Sequence, residues 1–219
     1  LALGVVKDTL APDASAASGL MPTHNVHASL LDEINRLAAA RLIPLHAHVE
    51  LTHRCALACR HCYLEGQPRH LESELTLPEL ERLFDELAAL GTLFLTLSGG
   101  EPFLREDLFE IVQAARRRRF AVSLLSSGSG ATLERVTCLA ALGLDAVQVS
   151  LYGSDAATHD AFTSNAGSHA AAWRLLDACR SLGIVTRAAV TITKANLDDM
   201  PRLAMQLKVR EQAWSPTVN

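Results

Sequence analysis

From Pro44 onward, apolar and polar positions fall into two alternating rhythms. Apolar runs of strand length stand at 45–51 (LHAHVEL), 93–98 (LFLTLS), 120–126 (FAVSLLS), 146–151 (AVQVSL) and 184–192 (IVTRAAVTI). Between them apolar residues recur every three or four positions, as on one face of a helix. TLPELERLFDELAALG (76–91) is the clearest case: Thr76 serves as N-cap, Glu79 completes a capping box and Gly91 stops the helix. REDLFEIVQAARRR (105–118), TLERVTCLAALG (132–143) and SHAAAWRLLDACRSLG (168–183) follow the same plan. NLDDMPRLAMQLK (196–208) is the last full helix, and AWSPTV (213–218) begins a sixth strand. Strand and helix in alternation predict an α/β protein with a parallel sheet and helical crossovers. Six such units fit a partial parallel (β/α)6 TIM-like barrel. A complete barrel needs eight, so the core is expected to be truncated after strand 6.

Upstream of this beat, residues 1–27 are rich in Ala, Ser, Pro and Thr without a period and read as a flexible N-terminal leader. ASLLDEINRLAAARL has helical spacing, with Leu30, Leu31, Ile34, Leu37 and Leu42 on one broad face. Residues 28–43 therefore read as a helix preceding a core at 44–219. A chain of 219 residues, 49% apolar, can bury one sizeable core and is not disordered throughout. A net charge of −4 offers no basic field for nucleic acid. The basic run Arg116–Arg119 ends a helical pattern, where the helix dipole favours cations. The best uncharged apolar candidate for a span, Leu87–Gly100, is too short to cross a bilayer, and the N-terminus lacks the marks of a signal peptide. Neither nucleic acid nor membrane is expected as a partner. The expected location is the cytoplasm, where thiols stay reduced.

Parallel α/β folds place their chemistry at the C-terminal ends of strands. Cys55, Cys59 and Cys62 follow the first strand, in LTHRCALACRHCYLEG. Gly99, Gly100, Glu101 and Pro102 follow the second, Ser126 to Ser129 the third, and Ser150, Tyr152 and Gly153 the fourth. Three thiolates spaced C-x3-C-x2-C suit three irons of a cubane cluster, with the fourth iron left open. On spacing alone zinc, with His53 or His61 as fourth ligand, and a redox pair of Cys59 and Cys62 stay open beside it. Cys138 and Cys179 lie in helical patterns among apolar neighbours and are expected in the core, and His169 and Trp173 are likewise expected to pack.

CALACRHCY after the first strand, with SGGEP after the second, closely resembles the radical S-adenosylmethionine (SAM) superfamily from Pro44 onward. VSLYGSDAATHDAFTSNAGSHAAAW resembles a segment of the members that carry a C-terminal SPASM domain, many of which modify peptides. That domain itself has no counterpart in these 219 residues. The resemblance implies a [4Fe–4S] cluster on Cys55, Cys59 and Cys62, with SAM on the open iron. Reductive cleavage of SAM then yields a 5′-deoxyadenosyl radical. It implies that Tyr63 packs on adenine and that Gly99 and Gly100 let the methionine moiety approach. Glu101 would meet the ammonium, and Pro102 would fix the strand exit. Ser127, Ser150 and Arg187 would serve the ribose and carboxylate. No catalytic side chain is singled out. The implied partners are a peptide or protein substrate and an electron donor such as flavodoxin or ferredoxin. Ala56 stands where many members carry Asn, and Ser126-Ser127-Gly128 replaces a common Thr-Asn-Gly. Three other readings stay open: a truncated or degenerate non-catalytic cluster-binding domain, a radical SAM enzyme of cofactor biosynthesis, and a zinc-binding α/β domain.

Overall fold

The computed structural model describes residues 26–64 and 74–218. The chain divides into two units, up to Leu37 and from Ala38 onward. Helix α1 (Val26–Ala40) forms where the sequence expects one. The leader expected over 1–27 lies outside the described residues as far as residue 25.

The second unit holds a six-stranded sheet in the order β1 to β6, with every neighbouring pair parallel. The strands are β1 (His46–Thr52), β2 (Phe94–Gly99), β3 (Ala121–Ser126), β4 (Ala146–Ser150), β5 (Val185–Ile192) and β6 (Ala213–Val218). Each lies within one residue of its predicted bounds. The crossovers carry α2 (Leu77–Leu90), α3 (Leu108–Arg117), α4 (Leu133–Ala141), α6 (Ser168–Ser181) and α7 (Met200–Val209). One helix was not expected from the sequence, α5 (Ala156–Thr163), inserted between β4 and α6. Its apolar positions are too few to make a period, but Asp155 caps it by accepting from Thr158 N at 2.9 Å.

Local chemistry ends these elements where the sequence indicates. Glu79 accepts from the Thr76 backbone N–H at 2.8 Å, and Gly91 closes α2 at φ 91°. Three of the four arginines of the basic run are engaged in the fold. Arg116 pairs with Asp145 at 2.6 Å, Arg118 makes two bonds to Asp85, and Arg117 lies 3.6 Å from Glu81.

The sheet has two unlike faces. Val49, Leu51, Leu95, Leu97, Val122, Leu124, Val147 and Val149 point outward and are buried against the helices. Phe84, Ile111 and Leu139 fill the gap between layers. Each such side chain contributes roughly 1.5–3 kcal/mol by burial. The alternate positions carry His46, His48, Thr96, Ser98, Ser123, Gln148, Ser150 and Arg187. One pocket touches residues of five consecutive strands, so the sheet curls with this polar face inside. β6 tolerates Pro216 because that residue has a strand on one side only among the described residues.

The expected core position of Cys138 is corrected: it is exposed on α4, on the face turned from the sheet, while Cys179 is fully buried. Burial pushes the Cys179 thiol up to about 12.

Candidate functional site

The loop after β1 carries the three cysteines and is held from outside by α5. Ala58 N donates to Thr163 O at 3.0 Å and Arg60 N to Phe162 O at 3.2 Å. These are last-turn carbonyls that a helix leaves without partners of its own. Asn165 Nδ2 donates to Ala56 O at 3.1 Å. Leu57 and Leu64 anchor the loop by burial, and Leu57 N points at Cys55 Sγ, 3.4 Å away. All three thiols open on one cleft of about 240 Å³ at the C-terminal ends of the strands.

Opposite the loop, the exit of β2 is strapped to the exit of β1. Gly100 N donates to Thr52 O at 2.6 Å and Glu101 N to Arg54 O at 2.8 Å. A Cβ on Gly99 would sit 2.1 Å from Thr52 O, and one on Gly100 2.2 Å from Arg54 O. The two glycines are therefore required by backbone packing before any ligand is considered. Pro102 then opens a short 3-10 turn, Pro102–Leu104. Arg105, 5% exposed, secures that turn. It binds Asp107 twice at 2.7 Å, donates to Leu51 O and Leu75 O, and lies 3.4 Å from Glu74. Glu74 also accepts from Arg54 at 2.7 Å and from Thr52 Oγ1.

Glu101 is 0% exposed. Oε1 accepts from Phe103 N at 3.2 Å and Ser126 Oγ at 2.8 Å, and Oε2 accepts from Ser127 N at 2.8 Å and from Ser127 Oγ. Four donors occupy the roughly four acceptor positions of a carboxylate. Burial raises the Glu101 pKa, and the bonds from Ser127, Ser126 and Phe103 oppose that rise. Its visible work is to tie the exit of β2 to the exit of β3.

The third wall comes from β4, α5 and α6. Tyr152 is buried and stacks on Phe162 at 4.5 Å, with the His61 ring 4.9 Å from each. Tyr152 N donates to His159 Nδ1 at 3.1 Å. Burial first, and then the neighbouring His169, push His159 down to about 4. Trp173 Nε1 donates to His169 Nε2 at 3.0 Å, the packing role expected for that pair. Asp160 accepts from Gly167 N, Ser168 Oγ and His169 N, which fixes the start of α6.

Of the residues singled out from the sequence, Cys55, Cys59, Cys62, Tyr63, Gly99, Gly100, Ser127 and Ser150 line the cleft. Tyr63 is 68% exposed, and its hydroxyl donates to Glu50 at 2.8 Å. Glu101 and Pro102 lie behind the cleft wall. Arg187 belongs to a neighbouring pocket nearer the N-terminal ends of the strands. Sequence reasoning missed the α5 docking residues, Asn165 above all, and also Gln148 and Thr191 on the cleft wall. Strict polar–apolar alternation within the strands would have flagged the last two. Nothing in the sequence marks Asn165 as touching the cysteine loop, 109 positions away.

Donor chemistry decides what the thiols suit. No three Cys, His, Asp or Glu side chains among the described residues converge on one point, as a single zinc would require. His53 is turned to Glu50, 3.4 Å away, and His61 sits in the ring stack. Three thiols that line one cleft are the donor set a group with several metal corners takes, one thiolate to each corner.

The Radical SAM superfamily matches residues 49–207. The PqqA peptide cyclase of Ruegeria pomeroyi is 38% identical over 174 residues, covering 76% of this chain and 46% of that protein. The Fe-coproporphyrin III synthase of Methanosarcina barkeri is 36% identical over 153 residues, covering 70% of this chain and 38% of that protein. The chain spans about half the length of the PqqA peptide cyclases it matches. Among solved structures, Streptococcus suis SuiB bound to its precursor peptide SuiA superposes with a TM-score of 0.71 at 16% identity, covering 94% of this chain and 47% of SuiB. That likeness shows the fold. No helix among the described residues is long and apolar enough to cross a membrane.

Proposed function

The chain belongs to the Radical SAM superfamily, and we propose that it forms the part of a peptide-modifying enzyme that holds a [4Fe–4S] cluster and SAM. One observation carries this reading: three thiols on the loop after β1 share a single cleft with the Gly99-Gly100 edge and the serines that end β3 and β4. When bound, the cluster and SAM would supply one-electron reductive cleavage of a sulfonium and, through it, hydrogen-atom abstraction from a substrate.

The chain's own residues hold and shield. Cys55, Cys59 and Cys62 provide the thiolates. The carbonyls of α5 keep their loop in one shape, so the three sulfurs are presented together. Ser127, Ser150 and Tyr63 offer hydroxyl groups and one ring toward a nucleoside and an amino-acid moiety. Glu101 holds the serine edge in place. For its carboxylate to meet an ammonium, it must give up one of its four present bonds. Tyr152, Phe162 and His61 close the inner wall with rings and limit water there.

Peptide as substrate is supported by relatives that are PqqA peptide cyclases. The electron comes from a small carrier such as flavodoxin or ferredoxin. A reducing cytoplasm suits a site whose thiols must bind iron. A second reading, a tetrapyrrole-modifying enzyme of cofactor biosynthesis, draws support from relatives that are Fe-coproporphyrin III synthase and pre-heme d1 synthase.

The test is anaerobic reconstitution with iron and sulfide, followed by SAM and dithionite. Wild-type protein should load about four irons, the content of one [4Fe–4S] cluster, and release 5′-deoxyadenosine. Cys55→Ala, Cys59→Ala and Cys62→Ala should each fail to load, and Cys138→Ala should load normally. Full loading of Cys59→Ala would overturn the assignment.

A further inference from the structure

Below the cleft, the inner face of the sheet holds a second pocket of about 390 Å³, bounded by His46, His48, Ser123, Gln148, Thr186 and Arg187. It shares Leu125 and Gln148 with the cysteine cleft, so the two cavities adjoin. The pocket's polar groups are not equally committed. His46 Nε2 bonds Thr96 Oγ1 at 2.7 Å, Thr96 continues to Ser123 at 3.0 Å, and His48 bonds Ser98. Burial lowers the His48 pKa, and Glu50 opposes that shift. The nearest acid on β1, Glu50, is already held by Tyr63 and His53. Arg187 stands opposite Gln148 in the β4–β5 register. Among the described residues it makes no ion pair. Its guanidinium is the unspent charge of this wall.

A guanidinium on a strand presents a planar fork of donors, and its best complement is a carboxylate taken up by two parallel hydrogen bonds. The Gln148 amide beside it adds a further donor. We propose that this pocket binds a carboxylate of the peptide substrate, through Arg187 and Gln148, and so sets which residue stands next to the cysteine cleft. The inference rests on the peptide reading above. The carboxylate is either an acidic side chain or the C-terminus of the peptide.

The test uses the whole chain, isotopically labelled for NMR and titrated with three short probes. These are N-acetyl-Ala-Glu-Ala-amide, N-acetyl-Ala-Gln-Ala-amide and N-acetyl-Ala-Ala-Ala with a free carboxylate. The Glu probe should move the Arg187 Nε–H and Gln148 side-chain signals and bind at least about tenfold tighter than the Gln probe, since a polar site rejects a mismatched isostere. Binding of the free-carboxylate probe at the same signals supports the pocket and assigns it to a peptide end. Arg187→Gln should weaken the tighter probe by a similar factor, and Arg187→Lys should restore part of it. Circular dichroism of each variant checks that the fold is kept.

Failure of both carboxylate probes to bind more tightly than the Gln probe, or an unchanged affinity of the tighter probe in Arg187→Gln, would overturn the proposal. So would movement of the Arg187 signal by SAM in the reconstituted protein with none by either carboxylate probe, because Arg187 would then serve the cofactor. These readouts need no SAM cleavage. A protein that loads no cluster yet separates Glu from Gln would leave this inference standing and remove the enzymatic one.

Discussion

The two ends of the sheet's inner face are built differently. At the upper rim most of the buried polar groups are spoken for, His61 Nδ1 being the exception among the described residues. Glu101 has four donors, Arg105 has two carboxylates and two carbonyls, and the cysteine loop is strapped to α5 and to the exit of β2. At the lower pocket the histidines are tethered by hydroxyls, but Arg187 makes no ion pair among the described residues. A rim of satisfied bonds holds its shape without a ligand, as suits a cofactor that must sit in one pose. A pocket with an uncommitted cation keeps its recognition capacity for something that arrives and leaves. Burial follows the same division: Glu101 is fully buried, whereas Arg187 is exposed.

The sharpest way to break this contrast is to unsettle the rim. Glu101→Gln keeps the shape but sets an amide donor against a wall of donors: Ser127 N–H, Phe103 N–H and two hydroxyls. At least one buried donor then loses its acceptor. The expected loss is about 3 kcal/mol, near the top of the range for hydrogen bonds to a charged group. Urea unfolding of the metal-free protein measures it. A loss below about 1 kcal/mol would mean that the carboxylate is not the clamp described.

The next effect is absent at neutral pH and develops only in acid. His159 is 1% exposed, its Nδ1 accepts from Tyr152 N–H, and it is held down to about 4 against an ordinary 6.5. Between those values the unfolded chain takes up a proton that the folded chain refuses. Stability from this group is therefore complete above pH 6.5 and drains away as pH falls toward 4. The full shift corresponds to roughly 3–4 kcal/mol, since each unit is worth about 1.4, and that full amount is lost only below pH 4. Comparing the pH dependence of the urea midpoint for wild type and His159→Asn isolates it. Equal slopes would show that His159 protonates freely in the fold.

How far the sequence told this in advance can be judged residue by residue. The strand–helix beat was legible because outward-facing Val, Leu and Ile repeat beside helices with clean caps, such as Thr76 to Gly91. The cysteine loop was legible because its spacing is local. Contacts that join distant stretches were not. Asn165 reaches Ala56 across the fold, and α5 lacks a periodic apolar face, so neither left a local signal. Glu101 was picked out by its place at a strand end. Its four partners appear only when β3 is brought beside β2. The glycines were identified at the right place, but the backbone of 52–54 requires them first.

Asn165 gives the third and milder test of the rim. Its amide makes one bond to the loop at 3.1 Å and is partly exposed, so Asn165→Ala should cost about 1 kcal/mol or less. The more telling readout is hydrogen exchange at Ala58 and Arg60, whose N–H groups donate to α5. Faster exchange at those two amides, with the β-strand amides unchanged, is the expected pattern. Unaltered exchange would mean that the α5 carbonyls hold the loop without help from Asn165.

The smallest expected effect lies at the other end of the comparison. If the lower pocket is spared from structural work, Arg187→Gln must leave stability nearly untouched. The reasons are physical. The side chain is exposed, so its removal opens no cavity. Among the described residues it has no ion pair to lose. Its backbone bonds within the β4–β5 and β5–β6 ladders do not involve the side chain. The change in unfolding free energy should stay within about 0.5 kcal/mol, as for ordinary surface positions. It should also be insensitive to salt, because no charge pair is screened. Thermal and urea unfolding at low and high ionic strength would measure both. A loss above about 1 kcal/mol, or one that shrinks with salt, would reveal a structural partner for Arg187. The lower pocket would then be a strapped rim like the upper one, and the contrast between the two ends would fail.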